Sequence, residues 1–312
     1  MDDSLLVEET PDRAAPPTLD AFLAAPIEEV RRVAPPSLVW VVEGTRRSAA
    51  LAGIDTRGDA YARWTLSRMN DCVGLFFDHG VRHLFAPLLS PSQFAEVTPR
   101  YREHLVDWVA LLVRDPALLA PYQRHGWRLR LLGAESMPAL RPLAEAFAAA
   151  TPRGEHTLWC SVVSETGALW NELLGAVVRT GARTREAAIR ALYGEDIPPA
   201  PVMIAFGKPM VSPEQVPPLM QGRMDCYFTQ RPGFRLTARE LRTVLHDHAF
   251  VRRTWRADKT GRAHEALGFR RAWEEGPMLG LGLRLGPFWY PVPMALPLDG
   301  ERASVDSGGV GG

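Results

Sequence analysis

A carboxylate and two guanidinium groups fall together directly after an apolar run: LVWVV over 38–42 is followed by Glu43, Gly44, Thr45, Arg46 and Arg47. An arginine fork grips phosphate oxygens in bidentate fashion, and the free N–H groups of a helix starting at this point attract anions. This is the layout of a strand that delivers a carboxylate and an anion cradle to the C-terminal edge of an α/β sheet. The types and spacing point to a diphosphate site, with Gly44, Thr45, Arg46 and Arg47 as its binding residues. The same residues also suit an ordinary strand-to-helix turn in which Glu43 and the arginines are capping and solvated charges. The stretch alone leaves both possibilities open.

The elements that must position these residues are read from the apolar patterning. Short runs apolar on both faces predict strands over 38–42, 83–88, 127–132, 157–163, 202–206 and 225–229. Helical patterns lie between them over 61–79, 100–114, 138–150, 165–180 and 185–192, and a last long helix over 237–255 opens on a capping box, Thr237 with Glu240. Alternation of strand and helix predicts an α/β fold with a central, mostly parallel sheet of about six strands flanked by helices. Asp78-His79-Gly80 reads as a helix C-cap with Gly80 left-handed. His246-Asp247-His248 looks like a metal cluster, yet helical neighbours at i and i+2 point apart.

Composition narrows the function. The chain has 312 residues, 46% of them hydrophobic, enough for a large core. Thirty-six basic residues balance thirty-six acidic ones, so nothing draws the whole protein to nucleic acid and any phosphate recognition is local. The three cysteines, Cys72, Cys160 and Cys226, lack ligand spacing, which predicts a reduced chain without structural zinc. The acidic N-terminus is unlike a secretory signal and no apolar run reaches ~18 residues, so a cytoplasmic protein is expected. Residues 1–18 and 299–312 read as flexible tails around a single catalytic domain over 19–298.

Five segments, in order, carry a resemblance. They are EGTRRSAAL from Glu43, FFDHGVRHLFAPLLS from Phe76, Tyr193-Gly194-Glu195 with VMIAFGK from Val202, DCYFTQRPGFRLTARELRTVLHDHAFVRR from Asp225, and GLGLRLGPFWY from Gly280. With them the chain resembles the cis-prenyltransferase family, whose type is undecaprenyl diphosphate synthase. Within it, the chain is most similar to the diterpene branch of tuberculosinol and kolavelool synthases. The resemblance implies a terpene synthase that ionises one allylic, bicyclic C20 prenyl diphosphate, releases pyrophosphate and quenches the cation with water or by proton loss. Mg²⁺ as cofactor, a homodimer, and an upstream class II diterpene cyclase as supplier are implied with it.

Residue roles follow from the same resemblance. Glu43 stands where the family carries aspartate, as metal ligand or as the base orienting the quenching water. Asp225 stands where elongating members place a metal-binding glutamate, so a Glu43 and Asp225 pair is expected to hold Mg²⁺. Tyr61 and Tyr101 fall at positions similar to tyrosines of the diterpene branch, with catalytic roles at the cation, and Arg100 adds a diphosphate contact. Trp64, Phe76 and Leu88 are expected along an apolar tunnel. Elongating members hold isopentenyl diphosphate on an arginine-bearing segment after the fifth strand. Here that region, IAFGKPMVSPEQVPPLMQGR from Ile204, lacks the strand-end arginine and substitutes prolines for the helix. One flexible ammonium, Lys208, does not replace a planar bidentate fork. The alternatives are a chain-elongating prenyltransferase and a non-catalytic partner subunit, both of which fit the sequence less well.

Overall fold

The computed structural model describes residues 16–96, 101–220, 222–254, 258–276 and 278–292, without the side chains of 101–103. Arg100 therefore lies outside the described residues, as does the side chain of Tyr101. The chain divides into two compact units, Met1–Lys259 and Thr260–Gly312.

The first unit opens with two short helices that the patterning did not reveal, α1 (Leu19–Ala24) and α2 (Ile27–Val33). Strand β1 (Ser37–Val41) is buried at all five positions. Its alternation divides the core: Leu38 and Trp40 join one apolar cluster while Val39 and Val41 join another on the opposite face. Helix α3 (Thr45–Leu51) follows at once, then α4 (Gly58–Asp78) and β2 (His83–Leu89). The turn after α4 is the expected C-cap, with Gly80 at φ 101°. Helix α5 (Pro91–Phe94) is a single turn, closed by a capping box in which Gln93 bonds back to Ser90.

Helix α6 (Tyr101–Arg114) is followed by α7 (Pro116–His125), unforeseen although it has the signals of one. Asp115 caps it, Pro116 opens it and Gly126 closes it in the left-handed region. Strand β3 (Trp127–Leu132), helix α8 (Arg141–Ala150), strand β4 (His156–Val162), helices α9 (Ala168–Thr180) and α10 (Arg185–Tyr193), and strands β5 (Val202–Phe206) and β6 (Asp225–Thr229) complete the alternation. The expected helices over 138–150 and 165–180 are shorter, since Pro138–Leu140 forms a 3-10 turn and Gly167 caps α9. Helix α11 (Ala238–His246) has both halves of its capping box, but does not run to 255. It widens into a π-turn, Asp247–Val251, where Asp247 bonds Tyr227 and Arg252.

All six strands are parallel, in the order β3-β4-β2-β1-β5-β6. The chain leaves β1 toward β2 and later returns on its other side as β5. The crevice outside the C-terminal ends of β1 and β5 is thus a topological switch point, where open α/β sheets bind ligands. Glu43 and the cradle emerge there. The second unit holds helices α12 (Arg262–Ala266) and α13 (Arg270–Glu274) and an antiparallel hairpin, β7 (Gly282–Leu285) with β8 (Phe288–Pro291). Among the described residues, no helix is long and apolar enough to cross a membrane.

Candidate diphosphate site

Gly44 fixes the start of α3. Its φ of 73° and ψ of 25° lie in the left-handed region, and a Cβ there would stand 2.7 Å from Cε1 of Phe206. Only glycine meets both conditions. Thr45 then turns its hydroxyl onto the Tyr61 hydroxyl at 2.7 Å. Tyr61 is 3% exposed and meets Trp108 edge to face. Burial raises the pKa of its phenol, against the bond from Thr45 and the charge of Arg46. The structure thus brings Tyr61 to the cradle as a neutral, anchored hydroxyl.

The two arginines part company. Arg46 forms a bidentate pair with Glu96, both N–H···O distances being 2.7 Å. Arg47 lays its guanidinium over the Phe206 ring, 4.5 Å from the centroid. Both stay near the strand end, and Arg47 acts electrostatically on Glu43.

Glu43 as a whole is exposed, yet its carboxyl is sheltered by neighbouring protein. Lost hydration raises its pKa from 4.5; a hydrogen bond with Gln215 and the charge of Arg47 only partly oppose this. Gln215 belongs to the loop that stands in place of a helix between β5 and β6. That loop is pinned, since the Tyr193 hydroxyl donates to Pro218 O at 3.0 Å and Arg185 donates to Leu219 O. The N–H of Gly233 donates to the main-chain carbonyl of Glu43 at 3.4 Å.

The raised pKa has a consequence for stability. The folded state holds the Glu43 proton more tightly than the unfolded chain does, so this contribution is full below 4.5 and lost as pH rises through the higher folded value. Glu43→Gln therefore raises the melting temperature at pH 7.5, and the gain disappears as pH falls toward 4.5. Thermal melts at the two pH values check this; an equal gain at both contradicts it.

Two cavities flank the stretch. One of about 230 Å3 has Glu43, Ser90, Ser92, Gln93, Ser212 and Gln215 among apolar groups in its wall. The other, of about 310 Å3, is mainly apolar and lies over the ends of β1, β5 and β6. Of the expected tunnel residues, Leu88 lines the smaller cavity, whereas Phe76 is fully buried against Trp40 and Trp64 packs on Phe234. Phe76 is a core residue and lines neither cavity.

Asp225 is not brought to Glu43. It begins β6 opposite Val202, and Met203 is opposite Val39, which sets Asp225 level with Leu38. Glu43 lies five residues further on, about 16 Å along the strand direction at ~3.3 Å per residue. Asp225 instead accepts from His248 Nδ1 at 2.6 Å and approaches Arg252 at 3.6 Å. Within one chain, therefore, register sets Glu43 and Asp225, the expected metal pair, apart. Among the described residues, no group of three or more His, Cys, Asp or Glu could hold a metal ion. His246 and His248 point apart as expected, His246 meeting Pro17 O at 2.8 Å.

Sequence inspection missed Glu96, Phe206, Gln215 and Gly233. Glu96 is fifty residues from Arg46 with no patterned link to it. Phe206 reads as the last residue of a buried strand.

Known proteins agree with this frame. The (+)-kolavelool synthase of Herpetosiphon aurantiacus is 46% identical over 276 residues, 88% of this chain and 96% of the relative. The tuberculosinyl adenosine transferase of Mycobacterium tuberculosis is 26% identical over 251 residues, 75% of this chain and 82% of the relative. No family model matches the chain. The structure of lavandulyl diphosphate synthase from Lavandula x intermedia, in complex with dimethylallyl diphosphate, is similar with a TM-score of 0.55 at 12% identity, over 70% of this chain and 96% of that one. A probable undecaprenyl diphosphate synthase from Campylobacter jejuni gives 0.51 at 14% identity, over 70% and 97%. These two show the cis-prenyltransferase fold.

Proposed function

The chain belongs to the kolavelool synthase family, diterpene synthases on the cis-prenyltransferase fold that act on a prenyl diphosphate, and from that premise we propose the reaction it performs. It ionises one allylic, bicyclic C20 diphosphate, releases pyrophosphate, and quenches the cation with water or by proton loss. The observation that carries this is the cradle at the switch point, Gly44 to Arg47, facing a β5–β6 connection that has no helix among its described residues to build a second one.

Ionisation is limited by charge growing on the leaving oxygens, so donors preorganised around those oxygens are the main device. Arg46, Arg47 and the N–H groups near Gly44 and Thr45 supply them. The Arg46 and Glu96 pair is a resting arrangement at a half-exposed guanidinium, and a multiply charged diphosphate competes with Glu96 for it. Glu43, with Gln215 beside it, takes the proton or holds the water that ends the reaction. Tyr61 fixes Thr45 through its hydroxyl at the start of the cradle. Arg100 and Tyr101 keep the contact and catalytic roles the resemblance implies.

Mg²⁺ fits this site with a smaller protein contribution than the sequence implied. It is commonly held by one or two carboxylates together with substrate phosphates, and Glu43 is a sheltered carboxylate whose charge is only partly compensated. When bound, the ion neutralises charge on the departing pyrophosphate. A homodimer, a class II cyclase as supplier, a cytoplasmic location and no nucleic-acid partner complete the proposal.

The test is to offer linear and bicyclic allylic diphosphates with Mg²⁺ or EDTA and identify products by mass spectrometry. Conversion of a bicyclic C20 diphosphate to an alcohol or olefin, abolished by EDTA, is expected. Conversion of linear substrates alone contradicts the bicyclic assignment.

A further inference from the structure

Among the described residues, Leu219 alone other than glycine has a positive φ, 67°. The left-handed region is unfavourable for a residue with a side chain and persists only where the surroundings over-determine it. Here they do. Val216 and Met220, on either side of the strained residue, are fully buried in the apolar cluster on the Val39 face of the sheet, and Met220 O accepts from Ala200 N at 2.9 Å. The first and last residues of α10 grip the turn itself: Arg185 donates to Leu219 O, and the Tyr193 hydroxyl donates to Pro218 O at 3.0 Å. Tyr193 is in turn fixed, its ring edge-on to Phe85 and Trp159 with centroids at 5.9 and 5.3 Å.

Gln215 stands on the same loop, next to the buried Val216. Its side-chain oxygen accepts from Ser212 N at 3.3 Å, while its own N–H donates to Ser212 O at 3.0 Å. With the oxygen so engaged, the amide offers its N–H donors, and the Glu43 carboxyl takes one. That carboxyl also lies against Gly207, the first residue of the loop, where a Cβ would stand 3.5 Å from Glu43 Oε2. No helix among the described residues stiffens this connection, so the grip of α10 on Pro218 and Leu219 takes that part.

We propose that Tyr193 and Arg185 are positioning residues for the reaction: by gripping the carbonyls of Pro218 and Leu219 they hold the β5–β6 loop in its strained form and keep the Gln215 amide on the Glu43 carboxyl. This rests on the part given to Glu43 in quenching the cation. Tyr193→Phe in the full chain removes one hydrogen bond and keeps the ring packing. With the bicyclic C20 diphosphate its kcat falls about tenfold while KM stays within about twofold, since the diphosphate cradle is untouched. Gln215→Leu gives a fall of the same size. The double variant is no slower than Gln215→Leu alone, because both substitutions act through one contact. Losses that multiply in the double variant, or a folded Tyr193→Phe enzyme with full kcat, overturn the proposal. If Tyr193→Phe does not fold, Arg185→Met read in the same cycle decides. Glu43→Gln separates this proposal from the reading beneath it. A loss of at least about 100-fold there, with full kcat in Gln215→Leu, keeps the role of Glu43 and overturns the positioning. Full kcat in Glu43→Gln rejects the role of Glu43 and the positioning with it.

Discussion

Arg47→Ala lowers kcat for the allylic diphosphate by about 10²–10³-fold, the loss expected when one preorganised donor to a developing oxyanion is removed. Pyrophosphate release under saturating substrate measures it. The loss is chemical, because the guanidinium reaches Glu43 electrostatically and lies at the end of the strand from which the cradle begins. Arg47→Lys restores little of it, since an ammonium has no planar fork and stacks less well on Phe206. Arg46→Ala gives a loss of the same order, measured in the same way. An Arg47→Ala enzyme with full kcat removes the cradle assignment.

Gly44→Ala is the second large effect, and acts through the backbone. A non-glycine residue in the left-handed region costs about 1–2 kcal/mol, and the added Cβ would meet the Phe206 ring at 2.7 Å. The ring or the loop must move, and either displaces Arg47 and the first N–H groups of α3. We expect a fall in melting temperature of several degrees with kcat reduced at least 100-fold, since small displacements of positioning groups have costs of about that size. Gly233→Ala is the comparison, with its nearest contact at 3.3 Å to Val42 Cγ1. It lowers stability less and leaves more activity. Equal effects of the two substitutions would show that general loop strain, and not the cradle, is being measured.

The strands were legible in the sequence to within a residue or so, because a parallel strand buried on both faces is a short apolar run with clear ends. Helix ends were less so. The stop of α11 depends on Asp247 bonding Tyr227 twenty residues earlier, a contact no local pattern encodes. The cradle was visible because its residues are contiguous. Asp225 shows the limit: correspondence along the chain placed it with Glu43, but strand register sets its height in the sheet and puts it at the opposite edge. Glu96 and Gln215, which hold Arg46 and Glu43, come from distant loops and carry no signal of their own.

The most direct measurement incubates the protein with a bicyclic C20 allylic diphosphate and radiolabelled isopentenyl diphosphate in the presence of Mg²⁺. One cradle for one substrate predicts pyrophosphate released in equal amount to an unlabelled C20 product. A labelled product five carbons longer would contradict it, because condensation requires a second diphosphate site that the β5–β6 loop is held not to supply.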